Sequence, residues 1–346
     1  MADTSIPTER GRTKASQEKS WGSVRKKFEE NARKFPEDHI STHLTRLREV
    51  DISRKDPSHF YRKRDLVQAF GENILSAVPY SLEGGFYYPN VVAGEYTATA
   101  ISPIRYLMNQ VRPDTTAIVE FGSGWSANLF QLYVGVGTTR SKKIDYHGAE
   151  YTDEGQQTAT AIARYDKKIK YHAHSFDYRN PDISFLKRHD GHILAFTRHS
   201  IEQVDEISPL LYDHLAALKA EVTLIHLEPV GWQTFASLAA RRAANDREFF
   251  EAIGARVTAG EVEPQVTTAD PKYKRIVQAE NAAWWSWRLK YNTNLFSIIS
   301  QNQRAGKIKI IAQELDFAAI GNVLNPTTLF HLEFIKGPST KNGYAL

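Results

Sequence analysis

An apolar run that reaches an acid and then a spaced glycine pair, AIVEFGSGWS over Ala117–Ser126, leaves few folds open. Ala117-Ile118-Val119 has the character of a buried strand, and Gly122 and Gly124 let the backbone turn sharply and admit a ligand closely. A helix-like segment follows. Its first N–H groups have no partner within the helix and would face whatever the turn receives. The acid, Glu120, does not suit a phosphate. It suits an amine or a hydroxyl.

The chain beyond this turn alternates regularly. Strand candidates are 116–121, 144–150, 169–176, 192–197, 222–227, 307–312 and 328–335. Helical stretches are predicted over 126–134, 153–165, 200–219, 232–253 and 294–305. Ser200 is the expected N-cap of the third, with Glu202 in its first turn, and Gly306 the expected stop of the last. Such alternation predicts an α/β fold with a mostly parallel sheet covered on both faces. Only about 15 residues separate Ala312 from Thr328, and they include Gly321, Asn325 and Pro326. That is too short for a comfortable crossover helix, so the last strand is expected to pair antiparallel beside its predecessor.

The first hundred residues read differently. Residues 1–19 are polar and predicted to be disordered. Trp21, Val24, Phe28, Ala32 and Phe35 recur at helical steps until Pro36 stops them. Further helices are predicted over 40–50, 59–76 and 102–111. Between the last two, Pro79–Ala98 carries Gly84-Gly85, Phe86-Tyr87-Tyr88 and Tyr96, and reads as a lid or binding loop. The organisation expected is a tail (1–19), a helical leader and lid (20–101), and a main domain (102–346) with an insertion near 255–293. That insertion holds Ala283-Trp284-Trp285-Ser286-Trp287-Arg288. Three tryptophans in four positions cannot share one side of a helix, so some are expected to pack on the leader helices and Trp285 to line an acceptor pocket.

Composition excludes several classes. Hydrophobic residues are 41% of the 346, enough for a large core, and no run of 18 apolar residues suggests a membrane span. The N-terminus has no apolar signal-like stretch, so a cytoplasmic protein is expected. With no cysteine there is no disulfide, thiolate metal site or cysteine nucleophile. Residues 1–70 hold 16 Lys and Arg against 11 Asp and Glu, the remainder 28 against 29. The excess charge of the leader is mixed with acids, which reads as a solvated helical face rather than a nucleic-acid surface. The 12 histidines show no ligand spacing. The alternating HAHS (His172–Ser175) reads as strand, so no metal site is expected.

In an open α/β sheet, ligands gather at the carboxyl ends of the strands. Here those ends read Glu120-Phe121-Gly122-Ser123-Gly124, Glu150-Tyr151, Phe176-Asp177-Tyr178, Thr197-Arg198-His199-Ser200-Ile201-Glu202 and Glu228-Pro229. Glu150, at the second strand end, suits the hydroxyls of a ribose. Asp177 between two aromatic residues suits a base, its carboxylate taking an exocyclic amine while a ring packs on the face. His199 is the candidate general base, with Arg198 and Glu202 as groups for substrate charge.

This constellation resembles the class I S-adenosylmethionine-dependent methyltransferases. The resemblance rests on EFGSGWS (Glu120–Ser126), Glu150, FDY (Phe176–Tyr178) and seven strands with an irregular last one, and covers roughly Ser102–Lys336. TRHSIEQV (Thr197–Val204) and NPTTLFHLEF (Asn325–Phe334) resemble less characterised members, some of which modify natural products, ribosomal peptides among them. The resemblance implies a sheet order 3-2-1-4-5-7-6 with the seventh strand antiparallel, and S-adenosylmethionine as methyl donor. It implies a donor site of Glu120, Gly122, Ser123, Gly124, Glu150, Tyr151, Phe176, Asp177 and Tyr178. The acceptor would be N or O of a small molecule or peptide side chain, met by His199, Arg198, Glu202, Tyr96 and Trp285. Membrane and nucleic-acid partners are not expected, and a homodimer stays open. One departure is Ser126, where many members have a third glycine. A nicotinamide-dependent oxidoreductase, and a non-catalytic scaffold that binds the donor and uses its basic leader for a partner, are the alternatives.

Overall fold

The computed structural model describes residues 13–48, 61–62, 86–87, 103–259, 271–317 and 326–336. Seven strands build one sheet: β1 (Thr115–Phe121), β2 (Asp145–Glu150), β3 (Tyr171–Ser175), β4 (His192–Arg198), β5 (Glu221–Glu228), β6 (Ile308–Glu314) and β7 (Thr328–Phe334). Their spatial order is 3-2-1-4-5-7-6. The first five run parallel, and β7 lies between β5 and β6, antiparallel to both.

The apolar runs form strands because helices cover both faces. Ala117, Val119 and Phe121 point into a core shared with Leu211, Leu215, Ile298 and Ile299. Ile118, Tyr146 and Leu194 point the other way, against Leu107, Leu129 and Leu132. Burial on both faces explains why these strands read as continuous apolar runs rather than alternating ones.

The helices show where local pattern and tertiary structure part. Asp153–Tyr165 forms as expected, capped by the Thr152 hydroxyl, which accepts from Gly155 N–H, with two acids in its first turn. The helix expected over 200–219 does not start at Ser200. A single turn at Ile201–Gln203 is followed by irregular chain, and the helix runs only Leu210–Ala216. The Ser200 N–H and hydroxyl go instead to the buried Glu228 carboxylate, and Pro209 sets the start. The stretch 232–253 is likewise broken. Asn245 takes a positive φ of 51° and Asp246 caps a new helix, Arg247–Thr258, through Phe249 N–H.

The leader is more ordered at its start than its polarity suggests. A helix, α1, runs Lys14–Lys34 with Thr13 as N-cap, so residues 14–19 are not a disordered tail. A second, α2, runs Ile40–Arg48. Both pack through Phe28, Ile40 and Leu44 on Trp125, Phe130, Ala159 and Ile162 of the main domain. Tyr61–Arg62 pairs antiparallel with Phe86–Tyr87, so the start of the helix expected over 59–76 is extended chain. The remainder of that helix lies outside the described residues. Among the described residues, the tryptophans of the insertion do not pack on the leader. Trp284, Trp285 and Trp287 lie on the helix Pro271–Leu289 and pack with Trp232, Phe250 and Ile253 in a satellite cluster. No helix among the described residues is long and apolar enough to cross a membrane.

Two buried histidines within the sheet tie stability to pH. His226 lies between the hydroxyls of Thr197 (2.9 Å) and Tyr212 (2.8 Å), and His192 between those of Thr115 (2.8 Å) and Thr223 (3.0 Å). Burial lowers His226 to about 3 and His192 to about 4. Unfolded histidine binds a proton near 6.5, so the unfolded chain takes up more protons as the pH falls through that value. Stability is therefore full above about 6.5 and declines toward pH 4, each histidine adding a slope of up to about 1.4 kcal/mol per pH unit. Urea unfolding should show a less stable protein at pH 5 than at pH 7.5. Equal or greater stability at pH 5 would contradict this reading of the two sites.

Candidate active site

A cleft of about 600 Å³ opens at the carboxyl ends of the parallel strands. Its walls bring together Glu120, Gly122, Ser123, Gly124, Glu150, Tyr151, Phe176, Asp177, Tyr178, Arg198 and His199, residues that the sequence places up to 79 positions apart. This volume lies in the range of small-molecule sites.

The glycine turn is held from several sides. Gly122 and Gly124 have φ of 66° and 53°. A Cβ on Gly122 would lie 2.5 Å from Ser200 Cβ, and one on Gly124 3.0 Å from the Trp21 ring. Ser126, the residue in place of a third glycine, also takes a left-handed φ of 59°, and its hydroxyl meets that of Tyr171 at 2.9 Å. Close helix approach is provided elsewhere: Gly155 sits where a Cβ would be 2.9 Å from Gly124 O.

The acids divide by position. Glu150 is buried, accepting from Gly124 N–H at 2.7 Å and from the Thr152 N–H and hydroxyl at 3.0 and 2.5 Å. Glu120 accepts from Asn128 Nδ2 at 2.7 Å and Leu129 N–H at 3.3 Å, at the start of the helix Ala127–Val136. Arg198 donates to Asn128 Oδ1 at 2.9 Å, so a base-to-acid chain runs along that wall. Phe176 packs on Phe121 with ring centres 4.9 Å apart. The Tyr178 hydroxyl donates to Phe121 O at 2.7 Å. Its burial raises the phenol well above its usual range, so Tyr178 serves as a neutral prop for the turn. Two polar atoms of the cleft residues, Ser123 Oγ and Trp21 Nε1, are buried without a hydrogen-bond partner.

On the far wall, His199 adopts a φ of 50°. Its Nδ1 lies 3.2 Å from Glu202 Oε1 and its Nε2 2.8 Å from Thr327 Oγ1. Glu202 thus stands behind His199 and is not a cleft-lining group. Behind both sits Glu228, which accepts from Ser200 and Glu202 N–H. Burial, reinforced by the Glu202 charge, raises the Glu228 carboxyl to about 6. Trp285 lies in the satellite cluster and not in this cleft, and Tyr96 lies outside the described residues.

Sequence reasoning missed the roof. Thr13, Lys14, Gln17 and Trp21 of α1 and its cap line the cleft. The helix is tied to one side by Glu18, whose carboxylate accepts from Asp153 and Glu154 N–H at 3.1 and 2.8 Å. It is tied to the other by Gln17, which donates to Gln203 at 2.8 Å. A signal existed: Thr13 opening a helix of regular apolar spacing, which polarity alone obscured.

The turn by itself does not decide the fold family, because Ala127 stands three residues after Gly124, the spacing of a dinucleotide-binding loop. The sheet does. Dinucleotide-binding sheets run 3-2-1-4-5-6 with parallel strands, whereas here an antiparallel strand is inserted between the fifth and the edge. The chain has the class I methyltransferase fold.

No protein-family model matches the chain, and no curated protein sequence matches it. Among solved structures, a possible exported protein from Bordetella parapertussis is 12% identical, with 94% of this chain and 98% of that one covered and a TM-score of 0.41. A geranyl diphosphate C-methyltransferase from Streptomyces coelicolor is 10% identical over 70% and 81%, with a TM-score of 0.39. A magnesium protoporphyrin IX methyltransferase from Synechocystis is 9% identical over 79% and 98%, with a TM-score of 0.40.

The glycine turn has a direct test. Gly122→Ala adds both a left-handed strain and a clash with Ser200, and should destabilise the protein by about 2 kcal/mol. Thermal unfolding reads this, and an unshifted midpoint would mean that the turn relaxes freely.

Proposed function

We propose that this protein transfers a methyl group from S-adenosylmethionine to N or O of a natural product or peptide side chain. The observation that carries the reading is the cleft itself, in which a glycine turn, Glu150 and Phe176-Asp177-Tyr178 line one wall in strand order and His199 stands opposite. The residues present fit such a donor. Backbone at Gly122–Gly124 can approach closely, and the unpartnered Ser123 hydroxyl offers a hydrogen bond. Glu150 has the two-oxygen carboxylate that ribose hydroxyls require. Oε1 is filled by the two Thr152 bonds, and Oε2, which accepts only from Gly124 N–H, keeps room for one more. Asp177 and Phe176 supply a carboxylate and a ring face for a base.

When bound, the donor supplies an electrophilic methyl carbon on a sulfonium. The protein's part is alignment and proton removal. Methyl transfer to an amine or hydroxyl leaves a proton to be taken up, and His199 would be the base that takes it. Glu202 at Nδ1 orients the imidazole. The bond from Nε2 to Thr327 would break or shift as an acceptor arrives. Thr327 brings residues 326–328 to the same wall, so that segment and the roof helix α1 would border the acceptor's place. The excess positive charge of the leader favours an acceptor of neutral or acidic character.

Calorimetry with S-adenosylmethionine and with S-adenosylhomocysteine should show one-site binding of both. A failure of both to bind, alongside saturable quenching by NADH, would replace this reading with the oxidoreductase one. Glu150→Ala should weaken donor binding about 10- to 100-fold, the loss expected for a hydrogen bond to a charged group. His199→Gln should leave donor affinity unchanged and lower turnover about 10²- to 10⁴-fold. Labelled donor with candidate peptides and extracts, followed by mass spectrometry, identifies the modified atom. Donor binding with no transfer to any acceptor would favour the scaffold.

A further inference from the structure

Away from the cleft, four histidines from three segments meet at one edge of the sheet. His147 lies on β2, His172 and His174 on β3, and His189 in the connection entering β4. Asp145 sits two residues before His147 on the same side of β2. The register pairs His147 with His172, so both project from one face. His147 and His189 are buried.

The geometry at the centre is that of converging donors. His147 Nε2 and His189 Nε2 lie 3.2 Å apart. One ligand atom each from Asp145, His147 and His189 fall within 4.8 Å of one another. His172 Nε2 lies 3.9 Å from Asp145 Oδ1, beside this trio. Zinc–nitrogen bonds of about 2.0–2.1 Å at tetrahedral angles put neighbouring donors about 3.3 Å apart, which the two imidazoles already satisfy. The outer support is also present. His147 Nδ1 meets His174 Nε2 at 2.9 Å, and the His174 ring stacks on Phe185 at 3.7 Å. A histidine ligand is normally fixed in this way, with its second ring nitrogen hydrogen-bonded to a held partner. When His147 Nδ1–H donates to His174, its Nε2 lone pair is turned toward His189.

We propose that Asp145, His147 and His189, with His172 as a fourth ligand, form a site for a divalent transition metal of the zinc class. Arg188 lies against the same groups: its Nη2 donates to Asp145 at 2.8 Å and lies 3.4 Å from His172, and its Nε lies 3.4 Å from His189. Arg188 is exposed, with 56% of its side chain accessible, so it can swing into solvent when a cation replaces it. The arginine therefore acts as a competing resident charge. The metal would clamp the β3 edge strand and the 184–189 turn to β2. Since β3 leads directly into Phe176-Asp177-Tyr178, that clamp would stiffen one wall of the cleft from behind.

The test uses the full chain after treatment with a chelator. Titration with zinc alone, read against a chromophoric competitor, should give saturable binding of one equivalent and a raised unfolding midpoint. His189→Ala and Asp145→Asn should each weaken binding at least about tenfold. Arg188→Ala removes the competing cation and should bind zinc more tightly, about threefold or better. X-ray absorption of the loaded protein should show a shell of nitrogen and oxygen near 2.0–2.1 Å. The absence of one-equivalent binding, or unchanged affinity in Asp145→Asn and His189→Ala, overturns the proposal. If those two variants fail to fold, unchanged or weaker binding by Arg188→Ala overturns it.

Discussion

A single carboxylate holds the upper edge of the sheet together. Glu150 accepts from Gly124 N–H across the β1–β2 boundary and from the Thr152 N–H and hydroxyl at the start of the next helix. The first bond fixes the glycine turn in its left-handed path. The second pair fixes where Asp153–Tyr165 begins. With both set, Gly155 comes against Gly124 O, and α1 settles across helix and turn through Glu18 and Trp21. Loss of the carboxylate would leave the buried Gly124 N–H unsatisfied, a cost of about 1–3 kcal/mol, and loosen every part that rests on it.

The polar groups of the interior follow the same economy. A parallel sheet covered on both faces has little room for water, yet this one holds His192, His226 and Glu228 at its centre. Each is matched to hydroxyls or backbone N–H groups, and the mismatch in charge appears as displaced proton affinity rather than as disorder. Glu228 stands apart. Its four hydrogen bonds organise Ser200 and Glu202, which stop the expected helix and turn His199 outward. The strained φ of His199 is the local cost of presenting an imidazole at that edge.

Much of this was legible in the chain. The strand runs, the acids at their ends and the glycine turn are local patterns, and a fully buried strand cannot avoid showing its apolar run. The short Ala312–Thr328 link also foretold an antiparallel partner. Less legible were features decided by partners far away. Ser200 reads as a helix cap until Glu228 captures its N–H. Trp285 reads as a pocket residue until Phe250 and Trp232 cover that side of its helix. The polar start of α1 reads as tail, because what orders it is Glu18 against a helix end 135 residues away.

The sequence alone determined the strand count, the α/β alternation and which residues would stand at the strand ends, because these follow from hydrophobic period and backbone chemistry. The strand order 3-2-1-4-5-7-6 followed from the family resemblance, and only tertiary structure decided the roof of α1 over the cleft, the outward turn of His199, and the meeting of His147, His172 and His189. Each of these depends on which distant segments share a face. That choice is made by the collective burial of apolar surface and not by any local stretch of chain.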